Sequence, residues 1–220
     1  MGARPTFDNE LEQLNTDLIR MGAMTEEAID SSIRAFKRHD LKLAASIIES
    51  DRAIDDIEKA IEARCLSLLL RQQPVARDLR AISTALKMIT DIERIGDHAA
   101  DIADLIGRLD GDQAYTEVEH IPNMASIAVS MVHDSIHSYV QGDLALAQAT
   151  IARDDQVDEL FNQVKRELVA IFKRPDADCD QAVDFLMIAK YLERIGDHAV
   201  NICEWVEFYQ TGEHKHYKIL

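Results

Sequence analysis

Glu93-Arg94-Ile95-Gly96-Asp97-His98-Ala99 returns letter for letter as Glu193-Arg194-Ile195-Gly196-Asp197-His198-Ala199, 100 residues later. Self-similarity at a long fixed period marks a chain built from two copies of one unit. Around the first copy, Ile82, Ala85, Ile89, Ile92, Gly96, Ala99 and Ala103 recur at intervals of three and four, which at ~100° per residue forms one apolar stripe on a helix. Further back, Asp40-Leu41-Lys42-Leu43-Ala44 matches Asp143-Leu144-Ala145-Leu146-Ala147, and Asp51 to Asp55 matches Asp154 to Asp158, now 103 residues apart. The second half is therefore three residues shorter between its acid pair and its heptapeptide.

Breakers divide the chain in the same way. With 8 Gly and 4 Pro in 220 residues, long uninterrupted helices are expected. Pro74 and Pro175 read as turns, and Asp40 and Gly142-Asp143 as helix starts. No strand-like alternation competes with the helical period. The expected fold is all-α: two tandem three-helix bundles, six helices in all, with repeats at 1–107 and 120–210. A polar connector at 108–119 and a tail at 211–220 complete the division. Met21, Met24, Met88, Met131 and Met187 read as core filler.

Charge and cysteine usage exclude several function classes. Against 24 basic residues stand 40 acidic ones, a formal charge of −16, which repels nucleic acids and anionic membranes. Cys65, Cys179 and Cys203 are too few and too scattered for a disulfide framework or a thiolate zinc site, and a reducing cytoplasm suits them. Met1 to Glu10 carries no apolar signal core, and the greasy run Leu66 to Leu70 is far short of the ~20 residues that span a bilayer. No nucleophile–base constellation, phosphate-cradling glycine loop or redox pair is visible, so no catalytic residue is expected.

The acids are more informative. In an antiparallel helical hairpin, residues whose numbers average to the turn position lie at one height, because both helices rise ~1.5 Å per residue. About Pro74, Asp55 pairs with Glu93 and Asp51 with Asp97. About Pro175, Asp158 pairs with Glu193 and Asp154 with Asp197. One acidic i,i+4 pair alone is ordinarily a solvated face. Two facing pairs, repeated in both halves, repel one another unless a cation compensates, and all-oxygen sets suit hard or intermediate ions such as iron, manganese, magnesium or calcium. A carboxylate-rich metal site is expected in each half. His98 and His198, turned ~100° from the adjacent aspartates, read as polar packing residues, and Gly96 and Gly196 as points of close helix approach.

The doubled Glu-Arg-Ile-Gly-Asp-His-Ala motif, each copy on the last helix of a three-helix half, resembles the PhoU family of phosphate-uptake regulators from about Asn9 to Tyr209. The resemblance implies a non-enzymatic, cytoplasmic helical protein, often a homodimer. Such a protein damps phosphate uptake and the starvation response when phosphate is plentiful. It would act between the ATPase subunit of the phosphate ABC transporter and a membrane sensor histidine kinase, touching the membrane only through them. It further implies multinuclear iron or zinc clusters, with manganese or magnesium as further candidates. The implied ligands are Asp51, Asp55, Glu93, Asp97 and Asp101 in the first half and Asp154, Asp158, Glu193 and Asp197 in the second. Asn201 replaces the fifth acid, so the second site is expected to be weaker. Two rival readings stand beside this one. A ferritin-like di-metal enzyme would require a Glu-x-x-His pair that the acids here lack, and a plain helical scaffold would tolerate alanine at every acid.

Overall fold

A computed structural model describes residues 5–71, 74–109, 118–175, 177–214 and 217–218. The first half comprises α1 (Pro5–Arg38), α2 (Leu41–Arg71) and α3 (Ala76–Ile106). The second comprises α4 (Ile121–Gln141), α5 (Leu144–Ile151), α6 (Asp154–Phe172) and α7 (Cys179–Thr211). The protein is all-α in two three-helix bundles, with α5 and α6 together in the place of α2. The expected connector falls largely on residues 110–117, outside the described ones.

The sharp corners follow from local chemistry. His39, with φ of 49°, closes α1 in the left-handed region. Asp40 then caps α2, its Oδ1 accepting from the amides of Lys42 at 3.1 Å and Leu43 at 3.0 Å. The second half repeats the device: Gly142 turns with φ of 64°, and Asp143 accepts from the Leu146 amide at 3.0 Å.

Two elements depart from expectation. Among the described residues there are seven helices rather than six, because the middle helix of the second half breaks at Ala152–Arg153. At the break the Arg153 guanidinium reaches α4, donating to Ser130 Oγ at 2.9 Å and to Asp134 Oδ2, and also to Thr150 Oγ1 at 3.1 Å. The second departure is a two-stranded antiparallel hairpin after α7: β1 (Glu213–His214) pairs with β2 (Tyr217–Lys218). It follows Gly212, with φ of 83°, and the His214 ring stacks on Trp205 at 3.9 Å between centroids. Runs of two residues are too short to show alternation in sequence.

The core is one body. Most buried side chains of both halves form one continuous cluster, with Ala147, Cys203 and Val206 as a small satellite in the second half, and α3 packs along α7 at the centre of the main cluster. All seven residues of the α3 stripe are buried, and so are Thr84, Met88, Ile95, His98 and Ile102 beside them. The first set faces its own bundle. The wider burial arises because α3 has α7 as an additional neighbour. Met21, Met88 and Met131 are fully buried, whereas Met187 is 37% exposed and is not core filler.

Candidate metal centre

The acid pairs of α2 and α3 meet across their hairpin. Carboxylate oxygens of Asp51, Asp55 and Asp97 lie within 4.8 Å of one another. Gly96 sets this spacing: a Cβ there would stand 3.0 Å from Ile54 Cδ1 and 3.7 Å from Asp51 Oδ1. The backbone of α3 thus approaches α2 beside the acids. Glu93 adjoins the set on one side and Asp101 on the other, each as an electrostatic neighbour of its members. Glu58 joins them, coupled to Asp55 and Glu93. It continues the stripe Asp51, Asp55 along α2, three residues beyond Asp55 and so one turn further on the same face.

The electrostatics are those of an undercompensated cluster. Asp51 is held above the usual carboxylate range by burial, then by the charges of Asp97, Asp55 and Asp101. Glu93 and Asp97 are raised mainly by burial, with Arg94 pulling both back. Arg94 reaches Asp97 Oδ2 at 3.0 Å and Glu93 Oε2 at 3.5 Å. The basic partner of Glu93 is thus its chain neighbour, which also serves Asp97. Lys59 stands 3.7 Å from Asp55. These cations are largely exposed and offset only part of the charge.

In the second half Asp154 is pushed up to about 6, by burial first and then by Asp197, Asp158, Asp155 and Glu193. Asp197 is likewise raised by burial and by Glu193 and Asp158, with Lys190 opposing. Lys190 also holds Glu193 in an ion pair. No three carboxylates here converge as tightly as in the first half, among the described residues. The helix break is one difference: Asp154 opens α6, whereas Asp51 lies mid-helix. Gly196 is also roomier, a Cβ there meeting Val157 Cγ1 at 3.5 Å and Asp154 Oδ1 at 3.7 Å.

The twin glycines therefore separate experimentally. Gly196→Ala meets only ordinary contacts and should gain roughly 0.5–1 kcal/mol of helix stability, read as a higher melting temperature by circular dichroism. In Gly96→Ala, Ile54 must give way, and the gain should vanish. Equal gains at both positions would rule out the tighter approach in the first half.

Asp154 yields a pH test. A carboxyl whose folded pKa lies above its unfolded value favours folding when protonated, and that contribution is lost as pH rises from 3.8 to about 6. In chelator, Asp154→Asn should melt higher than the parent at neutral pH and at the same temperature under acid conditions. An unchanged melting temperature at neutral pH would show that Asp154 carries no such penalty.

The remaining members of the heptapeptide serve the seam between the halves. His198 Nδ1 lies 2.8 Å from Asp91 Oδ1, and the Asn201 amide donates to the same oxygen at 3.0 Å. On the opposite side the His98 ring stacks on Tyr191 at 5.2 Å between centroids, its Nδ1 3.5 Å from Asp101 Oδ2, and Asp101 lies close enough to Tyr191 for its charge to act on the phenol. The two histidine rings stand 5.7 Å apart, marking a pseudo-twofold axis. Asn201 thus turns to Asp91, away from the second acidic cluster. Cys65 and Cys203 are buried, their thiols pushed up to about 12 by desolvation, and Cys179 is also free.

The family model described as PhoU domain matches this chain twice, over residues 18–106 and 121–206. The chain belongs to the PhoU family. Among its PhoU relatives, the phosphate-specific transport system accessory protein PhoU homolog of Clostridium acetobutylicum is 42% identical over 96% of both chains. The corresponding protein of Aquifex aeolicus is 36% identical over 95% of this chain and 96% of its own. Solved PhoU structures superpose closely. The phosphate transport system regulatory protein PhoU from Streptococcus pneumoniae gives a TM-score of 0.87 at 29% identity, over 95% of this chain and 99% of that one. PhoU from Pseudomonas aeruginosa gives 0.86 at 33% identity, over 94% and 100%. These PhoU names describe accessory and regulatory proteins rather than enzymes. No helix among the described residues is long and apolar enough to cross a membrane.

Proposed function

We propose that this chain is a cytoplasmic regulator of phosphate uptake. When phosphate is plentiful it restrains a phosphate ABC transporter and the starvation response, standing as a homodimer between the transporter ATPase and a sensor histidine kinase. The carrying observation is the 42% identity, over 96% of both chains, to a protein named as an accessory of the phosphate-specific transport system. Repeats 1–107 and 120–210 would be the two working units, joined by 108–119 and followed by a tail at 211–220.

The carboxylates fit a metal of the iron or zinc class, with manganese or magnesium also suited to the oxygen donors. Asp51, Asp55 and Asp97 would hold it in the first half, with Glu93 and Asp101 beside them. Asp154, Asp158, Glu193 and Asp197 would form the second, looser site. A bound ion supplies the positive charge these acids lack. The residues' own part is to keep that charge on an open hairpin face where a partner can meet it.

Affinity capture of the tagged chain from phosphate-replete cells, read by mass spectrometry, tests the adaptor role. The transporter ATPase or a sensor kinase should be recovered, and recovery should fall on phosphate starvation. Recovery of neither would overturn it.

A further inference from the structure

One rung of the two acidic hairpins differs in charge. Residues whose numbers average to a hairpin's turn stand level: Glu58 with Thr90 about Pro74, and Phe161 with Lys190 about Pro175. The two rungs correspond. Glu58 and Phe161 are 103 residues apart, like Asp51 and Asp154, and Thr90 and Lys190 are 100 apart, like the two heptapeptides. Beside its acids the first half therefore adds a carboxylate, where the second half adds an ammonium.

The ammonium has a built seat. Phe161 packs against the core, and Lys190 Nζ stands 5.5 Å from the centroid of its ring, a cation–π contact. From there it pairs with Glu193, whose side chain is only 15% exposed. Asp197, raised by burial and by Glu193, is drawn back by the same charge. Lys165 lies over the other reach of the ring at 4.8 Å, and the residue in its place in the first half is Glu62. Arg94 serves Glu93 and Asp97 in the first half, whereas its counterpart Arg194 is close enough to act on His98 across the seam. An isolated exposed ion pair contributes little. Lys190 differs in being placed by a ring and shared by two part-buried acids.

On the reading of the hairpin acids as cation sites, we propose that Lys190 is the built-in counter-cation of the second hairpin. Its ammonium supplies, from within the chain, charge that the first hairpin leaves to a dissolved metal ion, and an ion enters the looser second site only by displacing it. The two halves then respond differently to the metal supply. The charge of the first hairpin face follows the ion concentration, and that of the second is fixed by the chain.

The test combines calorimetric titration of chelator-treated full-length protein with manganese(II) chloride and thermal melting of the same protein without metal. Lys190→Met removes the charge while keeping an unbranched stem on the Phe161 ring. Placed in the Asp51→Asn, Asp97→Asn background, which silences the first hairpin, it should tighten manganese binding about tenfold or more, and Lys190→Arg should not. Thr90→Lys, made alone on the exposed rung of the first hairpin, should weaken the wild-type site by a similar factor. Without metal, Lys190→Met should melt roughly 1–3 °C lower than the parent and Thr90→Lys higher. A metal-free melting temperature that does not fall in Lys190→Met would overturn the counter-cation. So would unchanged manganese affinity in that variant while wild type binds through Asp51 and Asp97. Wild-type protein that takes up no manganese would instead overturn the metal reading of the hairpins, and the metal-free melting of Lys190→Met would still decide the role of Lys190.

Discussion

Chelator-treated protein carrying Asp51→Asn with Asp97→Asn should lose binding of iron or manganese to the first hairpin by roughly 100-fold to 10,000-fold. Two charge-assisted contacts at roughly 1.5–3 kcal/mol each are removed, and every 1.4 kcal/mol is about tenfold in affinity. The same variant should be more stable than the parent when both are metal-free at neutral pH. Asp51 and Asp97 are raised by burial, and like charges add to the shift in both, so two neutral amides relieve the repulsion. Opposite signs for affinity and apo stability distinguish a cation site from ordinary surface acids. Metal analysis and calorimetry read the first effect and thermal melting the second. Undiminished metal content, with stability unchanged, would leave the cluster as solvated surface.

The second large effect is expected in the core. Ile92→Ala removes a fully buried side chain of α3, at a cost of roughly 2–5 kcal/mol. For a chain of this size the melting temperature should fall by roughly 5–15 °C. Because the buried cluster runs unbroken through both halves, that loss should be felt by the whole molecule. Trp205, the single tryptophan, lies on α7 in the second half, at the seam, with Lys87 Nζ of α3 5.9 Å from its ring centroid. Its fluorescence midpoint should shift with the helical signal. A biphasic melt in which Trp205 keeps its original midpoint would show two independently stable bundles.

Much of this architecture was legible in the residues. Helical period and turn position are local properties, so the α3 stripe, the Asp40 and Asp143 starts and the level placement of Asp51 with Asp97 could all be read from spacing. The docking of one half on the other could not. It buries a second face of α3, through Ile95, His98 and Ile102, and depends on residues far apart in sequence. The same distance hid Asp91 behind His198 and set Asn201 outside the second acidic cluster. The helix break at Arg153 was invisible because its anchors, Ser130 and Asp134, sit on another helix. Glu58 is a different case: its spacing from Asp55 is readable, but the residue level with it about Pro74 is Thr90 rather than an acid.

The polar seam also bears on how the two copies diverged. Asp91 on one side of the pseudo-twofold axis is answered by Asn201, and Asp101 on the other by Tyr191. Two first repeats paired with each other would set Asp101 of one against Asp91 of its mate, carboxylate facing carboxylate at both edges. Two second repeats would bring Tyr191 and Asn201 together with no acid for either histidine. Only the unlike pairing supplies one carboxylate per histidine. Having exchanged these residues, the copies have become complementary halves that can no longer substitute for one another.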